Sequence, residues 1–223
     1  MNEGDIVKRD FEYILFDLDG TLTDPGIGIT NSVMYALKKF GIEVSDRSEL
    51  YKFIGPPLKY SFAEYYGFNP ENVAKAEAYY RDYFKDTGIY ENEIYEGIKD
   101  VLSTLKNSGK KIYLATSKPE EFANRILEYF EIAEYFDFIS AATMDGSRSK
   151  KVDIVKYAVE NINTSDTSSI VMIGDRLYDI EGAKETNINS IGVTYGYGGR
   201  EELVKAGADY IVDEPLELLN ILI

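Results

Sequence analysis

Short, unbroken apolar runs recur along the chain at Tyr13 to Phe16, Lys111 to Ala115, Phe138 to Ala142 and Ile170 to Ile173, with weaker ones at Ser190 to Val193 and Tyr210 to Val212. Runs of this length, uniformly apolar and followed by turn residues, predict strands buried on both faces. Helical spacing fills the intervals. Ile98, Val101, Leu102 and Leu105 follow the i, i+3, i+4, i+7 pattern and stop at Gly109, which suits a left-handed cap. Phe122, Ile126 and Phe130 mark a helix opening at Pro119, and Val152, Val155 and Val159 mark another, capped by Ser149. Strands alternating with helices predict an α/β fold, a doubly wound parallel sheet of Rossmann-like type with both faces covered. Reactive groups in such sheets lie beyond the carboxyl ends of the strands.

The alternation breaks between Asp24 and Tyr90, where several helical patterns occur without a convincing strand. Val33, Leu37 and Phe40 precede Gly41, Asp46 with Glu49 resembles a capping box, and Asn69-Pro70 opens a helix whose Val73, Tyr80 and Phe84 face inward. This stretch is read as an inserted small helical cap. The expected division is a core domain of residues 1–23 and 91–223 and a cap domain of residues 24–90, with hinges near Asp24 to Gly28 and Tyr90 to Gly97. The many tyrosines and phenylalanines of the cap are expected to form its own small core.

A length of 223 residues accommodates one core domain with such an insertion. Apolar residues make up 44% and charged ones 28%, the balance of a globular protein rather than a disordered one. No apolar run approaches the roughly 18 to 20 residues that span a bilayer. The charged start from Met1 to Asp10 argues against a signal peptide, so a cytoplasmic protein is expected. With 24 basic against 39 acidic side chains the formal charge is −15, which disfavours nucleic acid and anionic membranes as partners. A monomer or homodimer is expected. Cysteine and histidine are both absent, so disulfides, thiolate catalysis and imidazole bases are excluded. Acid–base chemistry must come from carboxylates, lysine or tyrosine.

Such groups gather at the predicted strand ends. Asp17 and Asp19 follow the first strand, and two carboxylates forced together in a low dielectric share a proton or bind a cation. Thr116 and Ser117 end the second strand just before a helix, where hydroxyl and turn amides favour an anion. Arg148, Lys150 and Lys151 open the helix after the third strand, and Asp175 with Asp179 follow the fourth. Converging on one sheet edge, these residues make a phosphate and divalent-metal site. The metal and a lysine also answer the electrostatic objection to a phosphorylated substrate, because they place one positive point in an acidic protein. The Tyr195-Gly196-Tyr197-Gly198-Gly199-Arg200 segment is read as a flexible strand-to-helix connection, and Lys118 and Arg148 as surface charges beside the site or as substrate contacts.

The segment Phe16-Asp17-Leu18-Asp19-Gly20-Thr21-Leu22-Thr23-Asp24 closely resembles the first motif of the haloacid dehalogenase-like hydrolase superfamily, in its phosphatase branch. Ala115-Thr116-Ser117, Lys150-Lys151 and Gly174-Asp175-Arg176-Leu177-Tyr178-Asp179 resemble its second, third and fourth motifs in order and separation, and the insertion resembles its small C1-type cap. Phe53-Ile54-Gly55-Pro56-Pro57 and Thr116-Ser117-Lys118-Pro119 are similar to phosphoglycolate phosphatase-like and 5′-nucleotidase-like members. The resemblance implies an Mg²⁺-dependent phosphomonoesterase acting on a small phosphorylated metabolite. Asp17 would be the nucleophile and Asp19 the general acid and base. Mg²⁺ would be held by Asp17, by the backbone carbonyl of Asp19 and by Asp175, with Asp179 as a direct ligand or, by preference, an outer-shell support. Gly20, Thr116, Ser117 and a lysine would hold phosphoryl oxygens; Lys151 is favoured over Lys150 because it lies nearer the buried stripe of its helix. Phe53, Ile54 and Gly55 of the cap would face the substrate. A sugar-phosphate mutase or phosphotransferase using the same aspartyl-phosphate is the alternative, with a non-catalytic phosphate-binding module behind it.

Overall fold

The computed structural model describes residues 10–223; residues 1–9, which carry the start of the 1–23 core segment and most of the charge argued against a leader, lie outside the described part. The chain runs through β1 (Tyr13–Phe16), β2 (Thr23–Asp24), α1 (Gly26–Lys38), α2 (Leu58–Tyr66), α3 (Pro70–Phe84), β3 (Glu93–Ile94), α4 (Ile98–Asn107) and β4 (Lys111–Pro119). It continues through α5 (Glu120–Tyr129), β5 (Phe138–Ala142), α6 (Lys151–Glu160), β6 (Ile170–Gly174), α7 (Leu177–Glu185), β7 (Asn189–Val193), α8 (Gly199–Ala206), β8 (Tyr210–Val212) and α9 (Leu218–Leu222). Six strands form one sheet in the order β5-β4-β1-β6-β7-β8, parallel throughout. The predicted doubly wound sheet is therefore present. From β1 the chain builds outward in both directions, so the end of β1 is the topological switch point where α/β sheets open a crevice.

Pleat alternation decides which side chain meets which layer. Leu15, Tyr113 and Met172 point to one face and pack with Ile154, Val155 and Ala158 of α6 and Ala183 of α7. Ile14, Phe16, Leu114 and Ile173 point to the other, against the Ile98, Val101, Leu102 and Leu105 stripe of α4, Ile126 of α5 and Leu218 and Leu222 of α9. Each fully buried side chain of this kind contributes about 1.5–3 kcal/mol. Helix α4 stops near Gly109, whose φ of +78° is the left-handed value expected at a helix end.

The helices α1, α2 and α3, with a 3₁₀ segment over Arg47–Phe53, fill the stretch where the strand pattern lapses. Aromatic contacts knit them together: Phe53 meets Phe62 edge-on, Phe62 stacks on Phe68, and Phe40 lies against Phe68. The second apolar cluster nevertheless runs unbroken from the sheet into Val33, Leu37, Phe53, Phe62 and Tyr80. At the two junctions, β2 and β3 pair antiparallel through Thr23 with Ile94 and Asp24 with Glu93. Asp46 accepts a bond from the Ser48 amide and starts a 3₁₀ segment rather than an α-helix.

Two local expectations need correction. Ser149 does not cap α6; Lys150 occupies the N-cap position and makes no side-chain cap bond. The buried stripe of α6 is Lys151, Ile154, Val155 and Ala158, rotated from the expected Val152, Val155 and Val159, whose outer members are only half-buried. The rotation puts a lysine on an otherwise apolar face, which requires partners inside.

Candidate active site

Register brings the strand ends together. Phe16 pairs with Leu114 of β4 and Ile173 of β6, so Asp17, Ala115-Thr116 and Gly174-Asp175 leave the sheet at the same edge. The chain reverses after Asp17-Leu18-Asp19 through Gly20, at φ +82°. A Cβ at Gly20 would fall 2.2 Å from Asp175 Oδ2, so glycine here answers both backbone sign and crowding. Its amide, expected at a phosphate, donates instead to the Thr23 carbonyl at 2.8 Å.

Asp17, Asp175 and Asp179 are all buried, and one carboxylate oxygen of each lies within 4.8 Å of the others. Lys151 enters this cluster from the first turn of α6. Its Nζ lies 2.8 Å from Asp17 Oδ1 and 2.9 Å from Asp179 Oδ1, and donates to the Ala115 carbonyl at 3.0 Å. Lys150, the reserve candidate, is exposed. Asp17 Oδ1 also accepts the Leu18 amide, and Asp175 accepts the Tyr197 amide at 2.8 Å. Asp179 Oδ2 accepts the Arg176 amide at 3.1 Å, closing the turn into α7.

Three buried carboxylates face one ammonium, so the cluster carries excess negative charge. Burial raises the Asp175 carboxyl well above the ordinary range, and the neighbouring Asp179 and Asp17 charges push it further. Asp179 is raised for the same first reason, against the pull of Lys151. Lys151 is raised in spite of its burial, because Asp17 and Asp179 favour its charged form. A cluster that resists its own ionisation and offers only hard oxygen donors fits a divalent cation such as Mg²⁺.

Asp19 is also deep, and its Oδ1 has no hydrogen-bond partner among the described residues. Its Oδ2 lies 2.7 Å from Lys118 Nζ. Burial raises its carboxyl while Lys118 works in the opposite direction. Lys118 is thus not a surface charge: it is buried, paired with Asp19 and set 4.7 Å above the Phe84 ring. Its burial arises because β4 continues past Thr116 through a register shift to Pro119. Thr116 is buried with Oγ1 accepting the Lys118 amide, and Ser117 lines the adjoining cavity. Arg148 turns away, donating to the Ala141 carbonyl and lying over the Tyr157 ring.

The segment after β7 does more than connect. Gly196 passes so close to the turns after β1 and β6 that a Cβ there would meet the Gly20 carbonyl at 2.3 Å and the Asp175 Cβ at 2.4 Å. That approach delivers the Tyr197 amide to Asp175, while the Tyr197 hydroxyl donates to Asp24 at the β2 junction. Sequence reasoning missed this support because the crowding comes from the separate turns after β1 and β6. A second bridge is Arg176, whose Nη1 donates to the Ile54 carbonyl and whose Nε pairs with Glu202 at 2.9 Å.

A cavity of about 350 Å³ opens above Asp17 and Asp19. Thr116, Ser117 and Lys118 line it together with Glu77, Tyr80, Arg81 and Phe84 of α3. Of the three cap residues expected at the substrate, Phe53 and Gly55 line the cavity. Ile54 does not: its side chain is wholly buried in the apolar cluster, and its carbonyl serves Arg176.

A family model described as haloacid dehalogenase-like hydrolase matches residues 14–193. A 5′-nucleotidase of Pseudomonas aeruginosa is 42% identical over 193 residues, covering 86% of this chain and 87% of its own. The crystal structure of a predicted phosphatase from Clostridium acetobutylicum superposes with a TM-score of 0.91 at 53% identity, covering 95% of this chain and 97% of that one. The tyrosine-protein kinase PtkA of Mycobacterium tuberculosis is 33% identical over 215 residues, 94% of this chain and 73% of that protein. No described helix is long and apolar enough to cross a membrane.

Proposed function

The chain belongs to the haloacid dehalogenase-like hydrolase family and is a phosphatase of it, and from that premise we propose a Mg²⁺-dependent phosphomonoesterase that works through an aspartyl-phosphate on Asp17. The observation that carries this reading is the buried Asp17, Asp175 and Asp179 cluster around Lys151, opening onto a cavity that Asp19 also lines. When bound to those carboxylates, Mg²⁺ supplies positive charge to the phosphoryl oxygens.

In the proposed reaction an Asp17 carboxylate oxygen attacks phosphorus, the bond from phosphorus to the ester oxygen breaks, and the departing alkoxide takes the Asp19 proton. Burial favours that protonated form of Asp19. In the second half, Asp19 removes a proton from water, whose oxygen attacks phosphorus. The acyl-phosphate bond then breaks, returning the Asp17 carboxylate and releasing phosphate. Lys151, Thr116 and the Ser117 amide would hold the phosphoryl oxygens as charge builds on them. Asp179 orients Lys151 and remains an outer support or a direct ligand. The proposal includes residues 24–90 as a cap that closes over the site, hinged at the β2–β3 pair, and a cytoplasmic monomer or homodimer.

The substrate is proposed to be a small phosphorylated metabolite, phosphoglycolate or a 5′-nucleotide, and the 42% identical 5′-nucleotidase supports the second. The test is phosphate release from nucleoside 5′-monophosphates, phosphoglycolate and sugar phosphates in Mg²⁺ and in EDTA. Mg²⁺-dependent release supports the reading, and release indifferent to EDTA refutes it. Transfer of the phosphoryl group to a hydroxyl acceptor is the second reading, favoured by the likeness to a protein-tyrosine kinase. Phosphorylated acceptor without stoichiometric free phosphate would select it.

A further inference from the structure

Helix α3 presents Glu77, Tyr80, Arg81 and Phe84 to the cavity, at the i, i+3, i+4, i+7 spacing of one helical face. Phe84 of that stripe lies 4.7 Å from Lys118 Nζ, and the stripe shares the cavity with Thr116 and Ser117, so it is placed to meet what the phosphate is attached to. Glu77 is the exceptional member: a carboxylate only 6% exposed on a mainly apolar face. Its Oε1 accepts from Arg81 at 3.2 Å. Tyr80 is equally buried and lines the same cavity. Polar groups held on the wall of a cavity are placed to meet what enters it.

Resting on the phosphatase reading, we propose that Glu77, with Arg81 and Tyr80, selects a neutral leaving group rich in hydroxyl or imide N–H donors, a pentose or nucleoside, and rejects short anionic ones. Glu77 accepts a hydrogen bond from a hydroxyl or N–H, while Arg81 cancels its charge. The pair is balanced as it stands. A carboxylate leaving group such as glycolate would repel Glu77 and bring one negative charge too many. Of the other charged groups at the cavity, Lys118 pairs with Asp19, and Lys59 and Asp145 are exposed. The Phe53 and Phe84 rings give a sugar or base apolar cover.

Loss of either partner should shift selectivity in opposite directions. Glu77→Gln leaves Arg81 uncompensated and favours an anionic leaving group, whereas Arg81→Gln leaves Glu77 uncompensated and disfavours it. The measurement is calorimetric affinity for uridine 5′-monophosphate, ribose 5-phosphate and phosphoglycolate with Mg²⁺, in an Asp17→Asn background that prevents turnover. The parent protein should bind the first two at least about tenfold more tightly than phosphoglycolate. Glu77→Gln should shrink that ratio about tenfold and Arg81→Gln should widen it about threefold or more. A ratio within one preparation is independent of its folded fraction, so partial unfolding does not mimic the result. Ratios moving in the same direction in both variants, or tighter phosphoglycolate binding by the parent, overturn the proposal. The tighter of the two neutral ligands distinguishes nucleoside from pentose. Failure of the wild type to hydrolyse any ester would refute the phosphatase reading, and the affinity ratios would still decide the role of Glu77.

Discussion

Replacing Lys151 with methionine removes one buried charge while keeping most of the side-chain volume. The wild-type ammonium lies 2.8 Å from Asp17, 2.9 Å from Asp179 and 3.0 Å from the Ala115 carbonyl, so the substitution strands two buried carboxylates and one carbonyl. Removing one partner from a buried ion pair costs about 3–5 kcal/mol. At about 2–4 °C per kcal/mol for a chain of this size, the melting temperature should drop by about 6–20 °C without metal. The pH dependence has a definite sign. The lysine is held above its ordinary value, so it contributes fully at every pH below about 10 and its loss is felt across the neutral range. Burial pushes the stranded Asp179 carboxyl up, and an acid with a raised folded value loses stability as pH rises through that value. The deficit should therefore be larger at pH 8 than at pH 5. Urea unfolding in EDTA at both values measures it. A deficit below about 1 kcal/mol, equal at the two pH values, would refute the burial and pairing assigned to Lys151. The same variant should lose at least about a hundredfold in kcat for phosphate release.

Other outcomes follow from the same coordinates. Because burial raises Asp175 and holds Asp179 at about 6, wild-type protein in EDTA should lose stability as pH rises from about 5 to 7.5, and Mg²⁺ should reverse that loss; thermal melts with and without metal check it. Met172→Ala opens a cavity between the sheet and α6 and should cost about 2–5 kcal/mol by urea denaturation. Arg176→Ala cuts the bond to the Ile54 carbonyl and the Glu202 pair, and should raise KM about tenfold while changing kcat less; equal effects on both would argue against a cap-holding role.

The sequence was most readable where chemistry is contiguous. Asp17 through Asp24 is the turn after β1 together with β2, so its carboxylates, glycine and hydroxyls can be recognised without knowing what packs on them. The parallel sheet with covered faces follows from strands buried on both faces alternating with helices, and Lys151 could be separated from Lys150 by its place beside a helical stripe, even though that stripe was drawn one step out of phase. The unreadable parts depend on distant partners. Lys118 looks like a surface lysine until the continuation of β4 turns it onto Asp19 and beneath α3. Gly196 looks like flexibility until Gly20 and Asp175 fill the space a side chain would need. Glu77 reads as an ordinary helical carboxylate with Arg81 four residues on, and only burial at the cavity gives it a task. Local patterns specify elements, whereas desolvation and crowding are properties of the assembled fold.

The central claim is a covalent phosphoryl group on Asp17. It is tested most directly by acid-quenching the enzyme within milliseconds of mixing with Mg²⁺ and a ³²P-labelled ester, then comparing wild type with Asp17→Asn. The account predicts label on wild-type protein that hydroxylamine removes and that maps to the peptide containing Asp17, with none on the variant and no turnover by it. Turnover by Asp17→Asn at the wild-type rate, or label that maps elsewhere, would contradict it.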